Sequence, residues 1–219
     1  MGSGPFGKLA KQRTMQMRDI VLIGYSGHAY VVAEILLLNG FNLIGYCEYR
    51  AKEMDPFKIP FLGLETDYSV QKNLKNFLFF PAVGDNIMRQ SIFLGLKRAR
   101  VKSTSCTHPA SYVSPLATIG DGVVIMGGVQ INPLVRVGDG AIINTNATIE
   151  HECVIGNFAH IAPGAVLAGN VTIGDGSLIG ANAVIKPNIT VGCNVIVGAG
   201  SVVINDIPDN LVVKGVPAK

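Results

Sequence analysis

Apolar residues follow two different periods along the chain, and the change of period divides it into two parts. Up to about Cys106, short apolar runs at 20–23, 43–47 and 77–83 alternate with helix-like stretches such as 29–38. The glycine turn at 24–28 separates the first run from the first helix. This alternation predicts a small sheet built from βαβ units, hence an α/β domain.

From Tyr112 onwards the period becomes six residues. Cut into sixes, residues 112–207 have Ile or Val at the second position of fifteen of sixteen hexads and Leu167 in the other. Gly, Asn or Asp near each bend indicates short strands joined by tight turns and stacked coil upon coil. Three hexads per coil predict a triangular prism of a little over five coils, whose second-position side chains form an internal ladder.

The distribution of charge along the chain bears on which kinds of partner the folded part can bind. Residues 1–18 carry four of the 18 basic side chains and no acid, so residues 19–219 hold 14 basic against 15 acidic ones. A near-neutral folded part argues against nucleic-acid binding, which needs a clustered basic face.

We interpret residues 1–18 as a tag or disordered leader, 19–106 as the α/β domain and 107–219 as the β-helix. No opening apolar segment has secretory or membrane-spanning length, so a cytoplasmic protein is expected.

The hexad at 148–153 concentrates titratable groups where its neighbours have Gly-Asp, Gly-Asn or Pro-Gly turns. His151 lies between Glu150 and Glu152, while Ile149 takes the inward position. A carboxylate beside an imidazole can fix its tautomer and stabilise the imidazolium, so this pair is a competent general base. A solvated surface turn is the alternative interpretation.

His160 lies nine residues after His151, which is half of an 18-residue coil. The two imidazoles therefore cannot stack within one chain, although they could approach each other between chains. A zinc site of the kind that three histidines hold in some β-helical carbonic anhydrases is not expected, because the repeats supply only these two histidines. For His160 the alternative is a polar cap at a corner.

In the first domain, the turn Gly24-Tyr-Ser-Gly-His28 lies between a strand and a helix, where backbone N–H groups favour a phosphate. Only the first glycine of the dinucleotide fingerprint G-x-G-x-x-G is present, so a shorter phosphate ligand fits better than NAD, with Ser26 and His28 as donors. A merely tight turn is the alternative. The candidate ligand residues at the carboxyl ends of the strands are Gly24, Ser26, Gly27, His28, Glu48, Gly84, Asn86 and Arg89. Arg89 could instead be a solvated helix residue.

Taken together, these motifs resemble the sugar-nucleotide N-acetyltransferases of the sialic-acid O-acetyltransferase-like, hexapeptide-repeat family. The resemblance runs from about Asp19 to Lys219 and rests on five segments: Ile23-Gly-Tyr-Ser-Gly-His28, Val83-Gly-Asp-Asn86 with Arg89, His108-Pro109, Ile143-Asn-Thr with Glu150-His-Glu-Cys-Val-Ile-Gly156, and Gly215-Val-Pro-Ala-Lys219. Ala29 departs from the family, where many members have a second glycine. The resemblance implies a left-handed β-helix and a homotrimer.

The resemblance also implies roles for individual residues. His151 would be the general base and Glu152 its orienting acid, Asn144 would contact the sugar, and His160 would face both acetyl donor and acceptor. The backbone N–H of Gly169 would bind the thioester oxygen. Acetyl-CoA, the co-substrate, would lie near Ala181 and Ala199 between subunits, and no metal would be needed.

The function implied is acetylation of the 4-amino group of a nucleotide-linked amino-deoxysugar, UDP-linked and of the bacillosamine type. Alternatives are a GDP-perosamine-type N-acetyltransferase and a sialic-acid-type O-acetyltransferase, since the same base can deprotonate a hydroxyl. A non-enzymatic sugar-nucleotide-binding scaffold would keep the β-helix without the chemistry.

Overall fold

The structure is a computed structural model that describes residues 18–219. Of the leader predicted for 1–18, all but Arg18 therefore lies outside the described residues. Two units follow one another along the chain: an α/β domain and a parallel β-solenoid. The solenoid begins at Cys106, whose strand pairs with Val124–Ile125 one coil further on. It therefore starts one residue before the boundary expected from the sequence.

The α/β domain is a four-stranded parallel sheet in the order β2-β1-β3-β4 with three helices. Its elements are β1 (Arg18–Ile23), α1 (Gly27–Leu38), β2 (Phe41–Cys47), α2 (Tyr68–Leu74), β3 (Leu78–Pro81), α3 (Asn86–Arg98) and β4 (Lys102–Ser103). Residues 20–23 are fully buried, as the apolar run predicts for a strand covered on both faces. The short helix α2 was not expected from the sequence.

The solenoid consists of eighteen two-residue strands wound as six triangular turns. They are β5 (Cys106–Thr107), β6 (Tyr112–Val113), β7 (Thr118–Ile119), β8 (Val124–Ile125), β9 (Gln130–Ile131), β10 (Arg136–Val137), β11 (Ile142–Ile143), β12 (Thr148–Ile149), β13 (Val154–Ile155), β14 (His160–Ile161), β15 (Val166–Leu167), β16 (Thr172–Ile173), β17 (Leu178–Ile179), β18 (Val184–Ile185), β19 (Thr190–Val191), β20 (Ile196–Val197), β21 (Val202–Val203) and β22 (Val212–Val213).

The turn count exceeds the prediction of a little over five coils. Two strands lie outside the sixteen hexads: β5 at the start and β22 at the end. Elsewhere each strand pairs with the strand 18 residues on, as Ile142 pairs with His160, but Ile196 pairs with Val212 and so shortens the last coil by two residues. The second-position aliphatics are buried in one continuous core, as the ladder predicts.

The strands form three parallel sheets, which are the faces of the prism. The seven-stranded face contains β11 and β14, the six-stranded face β12 and β15, and the five-stranded face β13 and β16. Turns with left-handed residues join the faces, and most of these residues are Gly or Asn, which tolerate a positive φ. A residue's place in the hexad therefore decides whether it lies on a face or at a corner.

The α/β domain packs against the seven-stranded face. Outward side chains of that face, among them Val124 and Ile142, join the apolar cluster formed by α1 and the sheet. On the other side of the sheet, the rings of Phe93 in α3 and Phe158 lie 5.5 Å apart in an edge-to-face arrangement. The seven-stranded face is thus partly covered, and the corner opposite to it faces away from the α/β domain.

Candidate active site

His151 and Glu152 occupy the corner between the six- and five-stranded faces, here called the His151 corner (150–153 and, one coil on, 168–171). His151 Nδ1 lies 3.0 Å from Glu152 Oε2. The imidazole side chain is 58 % exposed, and its Nε2 is free of protein partners within residues 18–219. A carboxylate thus holds one ring nitrogen while the other is open to a substrate, which is the arrangement that a general base requires.

Glu152 adopts a left-handed backbone conformation with φ of +64°. One and two coils further on, the same turn position is held by Asn170 and Asn188, which accept this conformation more readily. A glutamate there costs roughly 1 kcal/mol relative to these neighbours. The turn conformation places its carboxylate beside the imidazole.

Gly169 lies directly beside the His151 ring, one coil further along. A Cβ at this glycine would lie 2.6 Å from Cε1 and 2.7 Å from Nε2 of His151, closer than any real contact. The N–H of Gly169 donates to no acceptor within residues 18–219, whereas its carbonyl accepts from Asn188 N–H. A free backbone donor therefore lies next to the open imidazole nitrogen, and only glycine leaves room for the ring.

His160 lies on the seven-stranded face beside Asn144. Asn144 Nδ2 is 3.0 Å from His160 Nε2. Because an amide nitrogen only donates, Nε2 is the acceptor and the ring proton is on Nδ1. Burial, helped by the charge of Arg89 and by His28, lowers the pKa of His160 to about 4. His160 is therefore neutral near pH 7 and offers one N–H donor.

Arg89 connects the two units from a position that is only 1 % exposed. Its Nε donates to Gly140 O at 2.7 Å, and its terminal nitrogens donate to Val83 O, Gly84 O, Asn86 Oδ1 and Phe158 O at 2.8–3.1 Å. All five N–H groups of the guanidinium are therefore used within the protein. This placement does not support the expected ligand contact, and gives Arg89 a structural role between α3 and the solenoid.

His28 and Asn86 lie in the same interface. Asn86 Nδ2 donates to Gly176 O at 2.8 Å, so its side chain joins α3 to the solenoid. His28 Nε2 is buried without a hydrogen-bond partner among residues 18–219, and burial together with the charge of Arg89 lowers its pKa to about 4. The expected phosphate donor is thus a neutral imidazole held inside the interface.

Two clefts open at the carboxyl ends of the strands. The sheet-end cleft has a volume of about 410 Å³, and its lining includes Gly24, Ser26, Glu48 and Gly84. The interdomain cleft, about 280 Å³, is lined by Gly84, Asn86, His160 and residues of the seven-stranded face. Gly84 borders both clefts, so the two are adjacent, and the interdomain cleft extends from there to His160.

The glycines expected in the ligand site differ in why the position is a glycine. Gly24 has φ of +95°, and a Cβ there would lie 2.7 Å from Val83 Cγ2, so the turn itself requires glycine. Cβ atoms at Gly27 and Gly84 would meet no other atom of the described chain, residues 18–219, within 4 Å. Gly84 therefore exposes bare backbone to the clefts, where a phosphate can approach closely.

Glu48 follows β2 at the rim of the sheet-end cleft. Burial by itself raises the pKa of Glu48, but hydrogen bonds from Tyr49 N–H, from Lys52 and from Tyr25 N–H outweigh it, and the net pKa is lowered. Glu48 is thus a carboxylate, able to accept hydrogen bonds from ribose hydroxyls. Sequence reasoning missed the rest of the lining, notably Glu65 and Ser91, which belong to a loop and a helix face without a motif.

Ala181 and Ala199 lie one coil apart at the corner that joins the seven- and six-stranded faces, near the turn that carries Asn144. The structure therefore brings Gly169 to His151, and Asn144 to His160, but leaves these pairs and the two alanines at different places on one chain. Within residues 18–219, no three His, Cys, Asp or Glu side chains come together as a metal site.

Comparison with known proteins matches two segments of the chain to two families. Residues 19–96 match the family described as PglD N-terminal domain, and 152–187 and 170–205 match that described as bacterial transferase hexapeptide (six repeats). The acetyltransferase domain of PglB from Neisseria gonorrhoeae is 36 % identical, over 92 % of this chain and 98 % of that one, with a TM-score of 0.86. The chain belongs to the hexapeptide-repeat sugar-nucleotide N-acetyltransferases.

Two further members of this N-acetyltransferase family are close. PerB from Caulobacter crescentus, solved with CoA and GDP-perosamine, is 36 % identical over 92 % of this chain and 96 % of that one, with a TM-score of 0.85. UDP-N-acetylbacillosamine N-acetyltransferase of Bacillus subtilis is 33 % identical over 112 residues, and the match spans only about half of either protein, 50 % and 52 %.

Membership in the N-acetyltransferase family confirms the expected fold: a small α/β domain followed by a left-handed parallel β-helix of hexapeptide repeats. The PglB domain has also been solved with acetyl coenzyme A. Across residues 18–219, no helix has the length and apolar character needed to cross a bilayer.

Proposed function

We propose that this protein transfers an acetyl group from acetyl-CoA to the 4-amino group of a nucleotide-linked amino-deoxysugar. The observation that carries the proposal is the His151 corner. There an imidazole oriented by Glu152 has one open nitrogen, and the unpaired N–H of Gly169 lies beside it. A proton acceptor and an oxyanion donor at one place are the two groups that acyl transfer to an amine needs.

The proposed reaction is a direct attack without an acyl-enzyme. The sugar nitrogen bonds to the thioester carbon while its proton passes to Nε2 of His151, and the carbonyl oxygen becomes an oxyanion that accepts from Gly169 N–H. Glu152 stabilises the resulting imidazolium. When the tetrahedral intermediate collapses, the C–S bond breaks and the CoA thiolate takes the proton from His151, which restores the neutral base.

In the proposed complex the nucleotide occupies the sheet-end cleft. The diphosphate approaches the backbone of Gly24 and Gly84, Ser26 adds a hydroxyl donor, and Glu48 accepts from the ribose. The sugar then runs through the interdomain cleft towards Asn144 and the N–H of His160.

The two halves of the proposed site lie on different sides of one chain, because the interdomain cleft opens at the seven-stranded face and the His151 corner is opposite to that face. We therefore propose that His151 acts on a sugar nucleotide bound by a neighbouring copy, in a homotrimer, with acetyl-CoA between copies along Ala181 and Ala199. The outward β-helix corner of one chain then completes the clefts of the next.

The central test is His151→Asn, assayed with acetyl-CoA and nucleotide-linked 4-amino sugars. We expect kcat to fall by about 10²- to 10⁴-fold while the dissociation constant of the sugar nucleotide is unchanged. Turnover close to that of the unaltered protein would remove His151 as the base. Parallel assays with hydroxy-sugar acceptors test the acceptor atom, and faster O-acetylation would replace the N-acetyltransferase assignment.

A mixing experiment tests the shared site. His151→Asn removes the base, whereas Gly84→Leu adds bulk at the border of the two clefts, where a Cβ would meet no atom of residues 18–219 within 4 Å. Each variant alone is expected to be inactive, and co-expression of the two is expected to restore activity, because some sites then combine an intact corner with intact clefts. Failure to restore activity in mixed oligomers would place the whole site on one chain.

A further inference from the structure

The sheet-end cleft has two distinguishable ends. At one end Gly84 is shared with the interdomain cleft that leads to His160. At the other end Glu65, Ser91 and Ile92 are shared with a side cavity of about 90 Å³ that lies beyond the sheet-end cleft. Given the proposed function, on which this inference rests, the sugar points towards Gly84, so the nucleobase lies at the end formed by Glu65 and Ser91.

The charged side chains that line the sheet-end cleft are both acidic. Glu48 and Glu65 contribute carboxylates, and no lysine or arginine among residues 18–219 lines the cleft. Glu48 already accepts from Tyr25 N–H and Tyr49 N–H and pairs with Lys52 at 3.2 Å. Glu65 is half-buried and forms no ion pair with a basic side chain of residues 18–219. Its acceptor capacity is therefore open to a ligand.

The carboxylate of Glu65 acts electrostatically on another group that lines the cleft. Burial, together with the carboxylates of Glu65 and Asp67, raises the pKa of the neighbouring Cys47 thiol to about 12. The same cleft is also lined by the apolar side chains of Leu64, Met88 and Ile92. A carboxylate in such surroundings discriminates strongly between ligand edges that donate and those that accept.

The nucleobases differ in what they present to a carboxylate. Guanine alone offers two adjacent donors, the ring N1–H and the exocyclic amine, which match the two oxygens of a carboxylate. Uracil and thymine present one N–H between two carbonyl oxygens, and these oxygens would face the negative charge. Cytosine and adenine place a ring acceptor next to their amine.

We infer that Glu65 reads the base of the sugar nucleotide and selects guanine, with Ser91 at the edge of the same subsite. The substrate is then a GDP-linked amino sugar rather than the UDP-linked one expected from the sequence. Glu65 is a specificity-determining residue in this account and takes no part in the chemistry at His151.

The test uses GDP and UDP as probes in titration calorimetry on the full chain. We expect the unaltered protein to bind GDP at least about tenfold more tightly than UDP, the discrimination typical of one bidentate base contact. Glu65→Gln replaces one acceptor by an N–H donor. Its amide then matches the N–H and carbonyl pair of uracil, so GDP binding should weaken about tenfold while UDP binding strengthens.

Glu34→Gln is the matched control, because Glu34 is an exposed glutamate on α1 that lines none of the clefts; it should leave both affinities unchanged. Tighter binding of UDP by the unaltered protein, or an unchanged GDP-to-UDP ratio in Glu65→Gln, overturns the guanine assignment and leaves acetyl transfer standing. Absence of binding by both probes overturns the assignment together with the proposed nucleotide site.

Discussion

Gly169→Ala is the sharpest test of the chemistry, because it alters the position of the His151 ring without removing any polar group. The new Cβ would overlap the ring, at 2.6 Å from Cε1 and 2.7 Å from Nε2. Since the imidazole side chain is 58 % exposed, it can rotate into solvent, and it then leaves both Glu152 and the acyl oxygen's position. The backbone N–H of residue 169 stays in place.

The Gly169→Ala substitution should affect kcat far more than the free energy of unfolding. An exposed His–Glu pair contributes at most about 1 kcal/mol, and the lower unfolded-state entropy of alanine offsets about 0.4–1 kcal/mol of that. The free energy of unfolding should therefore change by less than about 1 kcal/mol. Loss of a positioned base should lower kcat by about 10²- to 10⁴-fold.

The assay follows the release of the CoA thiol, alongside a thermal melt of each variant. Gly127→Ala is the matched control: Gly127 has the same place in its hexad and also lies beside a histidine, but its Cβ would be 3.5 Å from His108 Nδ1, an ordinary contact. Turnover of Gly169→Ala within a few-fold of that of Gly127→Ala would show that acetyl transfer does not depend on the position of the His151 ring.

Three further predictions concern groups around the site. Glu152→Gln should lower kcat about 10- to 100-fold at saturating substrates, because the imidazolium loses its counter-charge but keeps an acceptor. Arg89→Met should lower the free energy of unfolding by about 3–5 kcal/mol in denaturant titrations, whereas exposed Arg98→Met on the same helix should change it little. Finally, the pKa of about 4 for His28 and His160 lies below the ordinary 6.5 of the unfolded chain. Between these two pKa values the unfolded state therefore binds more protons than the folded state. The contribution of each histidine to the free energy of unfolding is fully present above about pH 6.5 and is lost as the pH falls towards 4, by up to about 3 kcal/mol per histidine. Unfolding curves of His160→Asn should show a shallower loss over that window.

The solenoid could be predicted from the sequence because each hexad repeats one physical requirement. A buried aliphatic such as Ile149 must recur every six residues, and the corner must accept a left-handed residue. The same register showed that Glu152 and His151 occupy a corner, free of the core. The pattern missed two strands: β22, because the last coil is two residues short, and β5, which keeps the spacing but has Thr107 in place of an aliphatic.

The α/β side of the site was harder to predict, because its contacts join residues distant in the chain. An arginine after a strand is a common anion ligand, and nothing local shows that Gly140 and Phe158 supply carbonyls to Arg89 from 51 and 69 residues away. Glu65 has no motif at all, and its role emerges only from the cavity that it shares with Ser91.

The left-handed glutamate at position 152 has a consequence for protein engineering. Asparagine occupies the same turn one and two coils further on, so a screen that rewards thermal stability alone would favour Glu152→Asn. Such a screen would enrich a sturdier β-helix that has lost the carboxylate beside His151. Directed evolution of this scaffold therefore needs selection for acetyl transfer in every round, because selection for thermal stability alone would favour variants without this carboxylate.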